Sequence, residues 1–298
     1  MKKVLIIGST VTDIIINIDH LPKTSEDIHV LSQNMSLGGC AFNVCHVLHN
    51  LNVPYYFISN VGKGIYGDYV KHELNQLNID NHSFSDDDNG CCYCMIESNG
   101  ERTFISNHGA EYHFYPDTLN EIDLNDFDYL YICGLEIEDR DGEILVESIK
   151  NYKGTIIFAP GPRVKYIRKD LINKILNKHC ILHLNEKEII ELSLKDTMIE
   201  AAKALYQITN NYIIITCANY GTYYFDGKEI KNIKAYQTEI INTNGAGDSH
   251  CGAMISALCY GYNIIDAIDF ANLLASKVVN NQNSHLDNHQ YLEFLNIL

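Results

Sequence analysis

Beyond about residue 125 the chain repeats one pattern, and that pattern limits its fold more than anything else in it. Short apolar runs, Tyr129–Cys133 (YLYIC), Thr155–Ala159 (TIIFA), Cys180–Leu184 (CILHL) and Tyr212–Thr216 (YIIIT), alternate with helical stretches over 141–150, 168–177 and onward to about 208. Strands that read as continuous apolar runs are buried on both faces, and strands joined through helices run parallel. The pattern predicts an α/β fold with three layers, a mostly parallel sheet between helices. Thr222–Phe225 reads as one strand of a hairpin, and the segment after it is mostly helical.

The amino-terminal third departs from this rhythm. Residues 4–7 read as a buried strand, and 11–18 and 28–36 as strands joined by a turn at Leu21-Pro22. Residues 91–97 and 102–106 flank Asn99-Gly100, a hairpin signal. Helical stretches near 40–51 and 66–77 separate the two pairs, and Ser85–Gly90 (SDDDNG) reads as an exposed loop. We therefore expect a core built from 1–11, 37–90 and 110–298, and a small β lid from 12–36 and 91–109.

The 298 residues, 46% hydrophobic, suffice for one large core. The net charge of −16, from 22 basic and 38 acidic residues, repels nucleic acid, and no Lys/Arg-rich stretch offsets it. An anionic ligand must then be held by backbone N–H groups, a helix dipole or a metal. No apolar run approaches the ~20 residues of a membrane span. The start, MKKVLIIGST, is too short an apolar run for a secretion signal, so we expect a cytoplasmic protein with no membrane partner. The ten cysteines are scattered. Cys91-Cys92-Tyr93-Cys94 offers one CxxC but neither a second such pair nor suitably spaced histidine partners, so reduced thiols are expected rather than a zinc site.

Three stretches carry chemistry. In NTNGAGDSHCG (242–252), glycines deliver the chain into a helix. Glycines let N–H groups converge on one point, and a helix start adds unpaired donors and partial positive charge, together an anion hole. Asp248 sits in the first turn beside it, either complementing the helix dipole or accepting a proton from an attacking hydroxyl. In GGCAFNVCHVLHNL (38–51), the apolar stripe is Ala41, Val44, Leu48 and Leu51. Asn43 lies about 120° from its centre, so it is either a solvent-facing amide or one facing a polyhydroxy ligand. Asp13 interrupts a β-branched run, on a solvent face or accepting hydroxyl hydrogen bonds.

Together these stretches resemble the ribokinase-like (PfkB) carbohydrate kinases. Asn242-Thr243-Asn244-Gly245-Ala246-Gly247-Asp248 resembles the family's Asp-Thr-x-Gly-Ala-Gly-Asp motif, and Gly38-Gly39 with Asn43 its early Gly-Gly helix. NVGKGIYGDYV (60–70) resembles its V-G-x-D-x-x-G segment with Gly64 in place of the acid, and Asn185-Glu186-Lys187-Glu188 its N-x-x-E motif. The resemblance spans nearly the whole chain. It implies ATP-dependent phosphorylation of a hydroxymethyl group of a sugar or nucleoside. By it, Asp248 is the general base and the N–H groups of Gly245, Ala246 and Gly247 the anion hole. Asn185 and Glu188 organise Mg²⁺, Glu188 through water. Asp13, Gly38, Gly39, Asn43 and Glu111 belong to the acceptor side, and Thr216, Gly221, Thr243 and Asn272 to the nucleotide side. Arg163 follows the TIIFA strand at the carboxyl end where α/β sheets bind ligands, and is either a further acceptor-side residue or a turn arginine on the surface. A lid-mediated homodimer is a further implication.

Besides Gly64, three departures from the family pattern matter. Asn242 replaces an Asp in a region that supports a monovalent cation in many relatives; the amide keeps an oxygen but no charge. Ala218 stands where a glycine is usual, and Ala159-Pro160-Gly161 lacks the usual Asp and Asn. They motivate an alternative, a catalytically silent sugar- or nucleotide-binding regulatory protein on the same fold. A dinucleotide-dependent oxidoreductase is disfavoured, since VLIIGSTVTD offers one glycine where G-x-G-x-x-G is needed.

Overall fold

The computed structural model of the chain describes residues 1–138, 141–281 and 283–298. Its strands are β1 (Val4–Ile7), β2 (Val11–Ile18), β3 (Ser32–Gly38), β4 (Tyr55–Ile58), β5 (Asn60–Lys63), β6 (Ser83–Asp88), β7 (Cys91–Glu97), β8 (Arg102–Asn107), β9 (Tyr129–Cys133), β10 (Thr155–Ala159), β11 (Ile181–Asn185), β12 (Ile213–Thr216), β13 (Thr222–Phe225) and β14 (Ile230–Ile233). The α-helices are α1 (Cys40–Asn50), α2 (Gly64–Leu77), α3 (Leu135–Glu138), α4 (Gly142–Ser148), α5 (Lys169–Leu176), α6 (Glu186–Ser193), α7 (Met198–Thr209), α8 (Ala246–Cys259), α9 (Ile264–Val279) and α10 (Leu292–Leu295).

Eight strands form the main sheet in the order β14-β13-β12-β11-β10-β9-β1-β4. All neighbours are parallel except β13, which runs antiparallel to both β12 and β14. Alternation of side chains along each strand divides the apolar runs between two cores. Val4, Ile6, Tyr131 and Ile214 pack under α1, α8 and α9. Leu5, Ile7, Ile132, Phe158 and Ile215 pack under α4, α5, α6 and α7. Each such side chain is worth roughly 1.5–3 kcal/mol in burial. This is the three-layer α/β architecture expected from the alternating pattern.

A second sheet, in the order β3-β2-β7-β8, stands apart from the main one. Asp13 pairs with Ser36 and Cys92, and Cys92 with Ser106, so these residues form one rung. The hydroxyls of Tyr66 and Tyr93, 3.2 Å apart, tie α2 to this sheet.

Several boundaries differ from the sequence reading, each for a local reason. The strand expected over 28–36 runs from Ser32 through Gly38, because the β2 register ends at Asn17–Ser32 and only Leu31, through its N–H to the Asn17 carbonyl, still reaches β2; Leu21-Pro22 is part of a longer connection. Ser85–Gly90 is not simply a loop. Its acidic residues lie on β6, which pairs with β5 through Asn60–Ser83 and Val61–Phe84. Exposed acidic side chains are what an edge strand tolerates. The helical stretch after β11 is two helices, broken where Leu194 turns left-handed at φ 55°. All ten cysteines are free thiols; Cys40 and Cys92 are half-buried and the other eight buried. No helix among the described residues is long and apolar enough to cross a membrane.

Candidate active site

The carboxyl ends of the parallel strands, where open α/β sheets bind ligands, face two hollows. The larger, about 490 Å³, lies between these strand ends and the second sheet; the smaller is about 240 Å³. Thr216 and Gly247 line both, so the hollows meet at the start of α8.

That start is shaped by glycine. Gly245 has φ +72°, and a Cβ there would lie 2.2 Å from the Ser284 carbonyl oxygen. No side chain caps α8, so the first-turn N–H groups of Gly247 and Asp248 have no carbonyl one turn back to bond. A Cβ on Gly247 would meet nothing within 4 Å, so the space beside these donors is open. The Asn242 Oδ1 accepts the Asn244 N–H at 2.8 Å and tightens the approach to the turn. Asp248 is pushed up to about 6 by burial, against hydrogen bonds from Asn43 and Cys40 that hold it down.

Asn43 is 5% exposed, and its Nδ2 donates to Asp248 Oδ2 at 2.9 Å. Neither face of α1 is free, because Ala41 through Leu48 are all buried, sealed on one side by α8 where Gly252 meets Val44 and Val47. The Asn43 Oδ1 is buried without a hydrogen-bond partner. Such an orphan acceptor is costly unless something donates to it.

Asp13 lies in the same cleft and is pushed up to about 7, first by burial and then by the charge of Asp248, with Asn244 opposing. Gly38 makes room for it, since a Cβ there would fall 2.1 Å from Asp13 Oδ2. Gly39 has φ +102° and abuts the Ser9 carbonyl. Both glycines thus serve the approach of α1 to Asp13 and β1.

Asn185 caps α6. Its Oδ1 accepts the N–H groups of Lys187 and Glu188, each at 2.9 Å. Its own N–H and Nδ2 donate to the two oxygens of Glu188 at 2.9 and 2.7 Å. Asn185 therefore orients Glu188 and has no oxygen to spare. Glu188 is pushed up by burial and by the nearby Asp248 charge. Its oxygens keep lone pairs, and a cation between it and Asp248 would relieve that repulsion. Among the described residues no group of three or more His, Cys, Asp or Glu is spaced to hold a metal directly. This donor set fits Mg²⁺, which keeps its waters and relies on phosphate oxygens.

Two residues expected on the acceptor side line the cleft but are occupied. The Arg163 guanidinium is gripped by both oxygens of Glu138 and sits over Tyr166. Glu111 accepts the N–H groups of Gly90 at 2.6 Å and Gly109 at 3.0 Å, clamping the chain where it enters β7 and leaves β8.

The smaller hollow holds Thr216, Gly221, Thr243 and Asn272, with Ala218, Tyr236, Gln237, Ile240 and Ser276 among its other walls. Ala218 adopts φ +45°, a left-handed conformation, and Gly221 φ +91°, with a Cβ there 2.1 Å from the Ile233 oxygen. Asn272 is pinned: its Nδ2 donates to the Ile233 and Lys234 carbonyls, and its Oδ1 accepts from Thr222 at 2.7 Å. Thr243 accepts a 3.1 Å hydrogen bond from Arg102 Nη1, which reaches across from β8. The sequence reading assigned no role to Arg102, Asn244, Cys40 or the 235–240 wall. Asn244 stands immediately before Gly245-Ala246-Gly247, inside the 242–248 motif, and was the most findable of these.

A family model for the pfkB family carbohydrate kinases matches residues 1–290. The chain is 28% identical to the uncharacterized sugar kinase YegV of Escherichia coli, over 93% of this chain and 88% of that protein. It is 26% identical to a ribokinase of Staphylococcus aureus, over 93% of each. Among solved structures, Thermotoga maritima ribokinase superposes with a TM-score of 0.87 at 23% identity, over 99% of this chain and 100% of that one.

Proposed function

The chain belongs to the pfkB family of carbohydrate kinases, and from that premise we propose that it transfers the γ-phosphoryl group of ATP to a hydroxymethyl group of an uncharged sugar or nucleoside. The observation that carries the reading is the Asn43–Asp248 pair. Asp248 offers a carboxylate at the mouth of an anion-binding turn, and Asn43 leaves a buried acceptor bare beside it. An acceptor hydroxyl group supplies the missing donor.

In this reading the acceptor lies in the larger cleft, with hydroxyls on Asp13, Gly39 and Asn43. Asp248 takes the proton of the attacking hydroxyl as its oxygen bonds the γ-phosphorus and the bond to ADP breaks. The N–H groups of Gly245, Ala246 and Gly247 face the charge on the phosphoryl oxygens; that of Gly247 is open, and that of Ala246 exchanges its long 3.4 Å bond to the Thr243 carbonyl for the phosphoryl group. Positioning and electrostatics of this kind carry most of phosphoryl transfer. A carboxylate held near 6 is a stronger base than a free one yet ionised at neutral pH. Mg²⁺, when bound, would supply positive charge to offset that of the phosphates, and Glu188, fixed by Asn185, would hold its waters. The nucleotide occupies the smaller hollow, along Thr216, Gly221, Thr243 and the Asn272 wall. Asn242 brings no charge and has committed its oxygen to Asn244, so turnover in sodium and in potassium is expected to be equal.

The charge of the cleft supports an unphosphorylated acceptor. Asp13, Glu111, Glu188 and Asp248 line it, and its one described Lys or Arg, Arg163, is neutralised by Glu138. A phosphate on the acceptor would meet net repulsion.

The test is ADP release with ATP and Mg²⁺ across free pentoses, hexoses, nucleosides and sugar phosphates. Acceptor-dependent release confined to the uncharged compounds is expected. A preference for sugar phosphates overturns the acceptor class. Sugar-induced thermal stabilisation without any ADP release overturns catalysis in favour of a silent binder.

A further inference from the structure

Two histidines 67 residues apart meet in the buried ground between the hollows. His183 Nε2 and His250 Nδ1 are 2.9 Å apart. His183 is on β11 and lines the larger cleft; His250 is on α8 and lines the smaller hollow. His250 Nε2 continues to Thr222 Oγ1 at 3.0 Å and Asn272 Oδ1 at 3.2 Å. Both histidines are at most 5% exposed.

The proton positions follow from the far end. The carbonyls of Ile233 and Lys234 only accept, so Asn272 must turn its NH₂ to them and its Oδ1 towards Thr222 and His250. That oxygen is a pure acceptor, so Thr222 donates to it and His250 carries its proton on Nε2. His250 Nδ1 is then bare, and His183 must donate from Nε2. The chain runs one way, from His183 through His250 to the nucleotide-side wall. Burial holds both rings neutral: His183 is lowered to about 4, and His250 well below the ordinary imidazole value, first by burial and then by repulsion from the His183 ring.

We propose that this His183–His250–Thr222–Asn272 relay is a positioning device that couples occupancy of the nucleotide hollow to the transfer centre. Its two histidines sit on the two elements that must be set against each other. His183 lies two residues before Asn185, which orients Glu188, and His250 two residues after Asp248. Nucleotide packed against Asn272 and Thr222 fixes His250, and His250 fixes the spacing of α8 from β11. An apolar pair would fill the same space without joining the two sites. The proposal rests on the kinase reading for its consequence, not for its geometry.

The test uses the full-length protein, with ring nitrogens followed by ¹⁵N NMR and the ATP analogue AMP-PNP with Mg²⁺ as probe. Both rings should show a protonated Nε2 and a bare Nδ1. AMP-PNP should shift the His183 resonances although His183 does not line the nucleotide hollow, and His250→Phe should abolish that response. His250→Phe should also lower kcat about tenfold or more with each KM changed less than about threefold, the signature of lost transition-state positioning rather than lost binding. Thr222→Val removes one of the two partners of His250 Nε2 with almost no change in volume, leaving only the 3.2 Å bond to Asn272 Oδ1; kcat should fall by at least about threefold, which covers a misfolded His250 variant. A His183 signal indifferent to AMP-PNP, or kcat within about twofold of the parent in the folded variants, overturns the relay. If the parent protein turns over no acceptor, the kinase reading fails, and the NMR response alone decides the relay.

Discussion

The two hollows that meet at Gly247 are built from different materials. The larger cleft is lined by four carboxylates, Asp13, Glu111, Glu188 and Asp248, under the second sheet. The smaller has no Asp, Glu, Lys or Arg among its described lining residues; it is walled by amides, hydroxyls, small side chains and backbone. The first stores electrostatic strain, visible in Asp13 and Asp248 held well above ordinary carboxylates. The second offers shape. A site that must change a proton's owner needs poised charge, whereas one that only holds a ligand needs geometry.

The sharpest way to break this contrast is Asp248→Asn. It should lower kcat by about 10²–10⁴-fold, the usual worth of a general base. Near-normal turnover by a folded variant, measured in the ADP-release assay, would remove Asp248 from the chemistry. Next in size is Arg102→Ala, which cuts the one side-chain contact from β8 to Thr243. A loss of about tenfold in kcat/KM is expected, the scale of one charge-assisted hydrogen bond.

The poised charge should also be legible in pH. A base at Asp248, as proposed, works deprotonated, so kcat/KM should fall as pH drops through about 6, the value at which that carboxyl is held. Asn43→Ala removes the hydrogen bond that restrains Asp248 and should move that limb upward; an unmoved limb would assign it to another group. The same strain has a cost in stability. Asp13 binds its proton more tightly folded than unfolded, so its ionisation weakens the fold as pH rises from about 4 through 7. Asp13→Asn should therefore raise the melting temperature at pH 8 by a few degrees while weakening acceptor binding. A lower melting temperature would show that the carboxylate is better compensated than its burial implies.

The smallest effect belongs to the shape-built hollow. Ala218 holds a left-handed φ of +45° that glycine adopts without strain. Ala218→Gly should change the nucleotide KM by less than about threefold, with stability altered by under about 1 kcal/mol. A large change in KM would mean that the Ala218 methyl group itself shapes the nucleotide contact.

The same division explains what could be read from the sequence. Tyr129–Cys133 and Thr155–Ala159 were legible to the residue, because a strand buried on both faces leaves an unbroken apolar run. β6 was not, because an edge strand with three aspartates looks like a loop until its partner is known. Asp248, Asn43 and Asp13 stood out as polar residues within or beside apolar patterns. The walls at Tyr236, Gln237 and Ile240 carry no such mark; backbone and ordinary side chains make a pocket only after the chain has folded. Asn185 and Glu188 were legible twice over, since the spacing that orients a carboxylate also starts a helix. His183 and His250 were invisible as a pair, each an unremarked histidine within a strand or helix pattern.

The half-buried thiols have a practical consequence. Of ten free cysteines only Cys40 and Cys92 are not buried, and both line the larger cleft, one on each side of it. The folded protein thus carries its own footprinting probes. A slow alkylating reagent read by mass spectrometry should mark these two first, and any compound that shields them identifies itself as an occupant of the cleft before turnover has been observed.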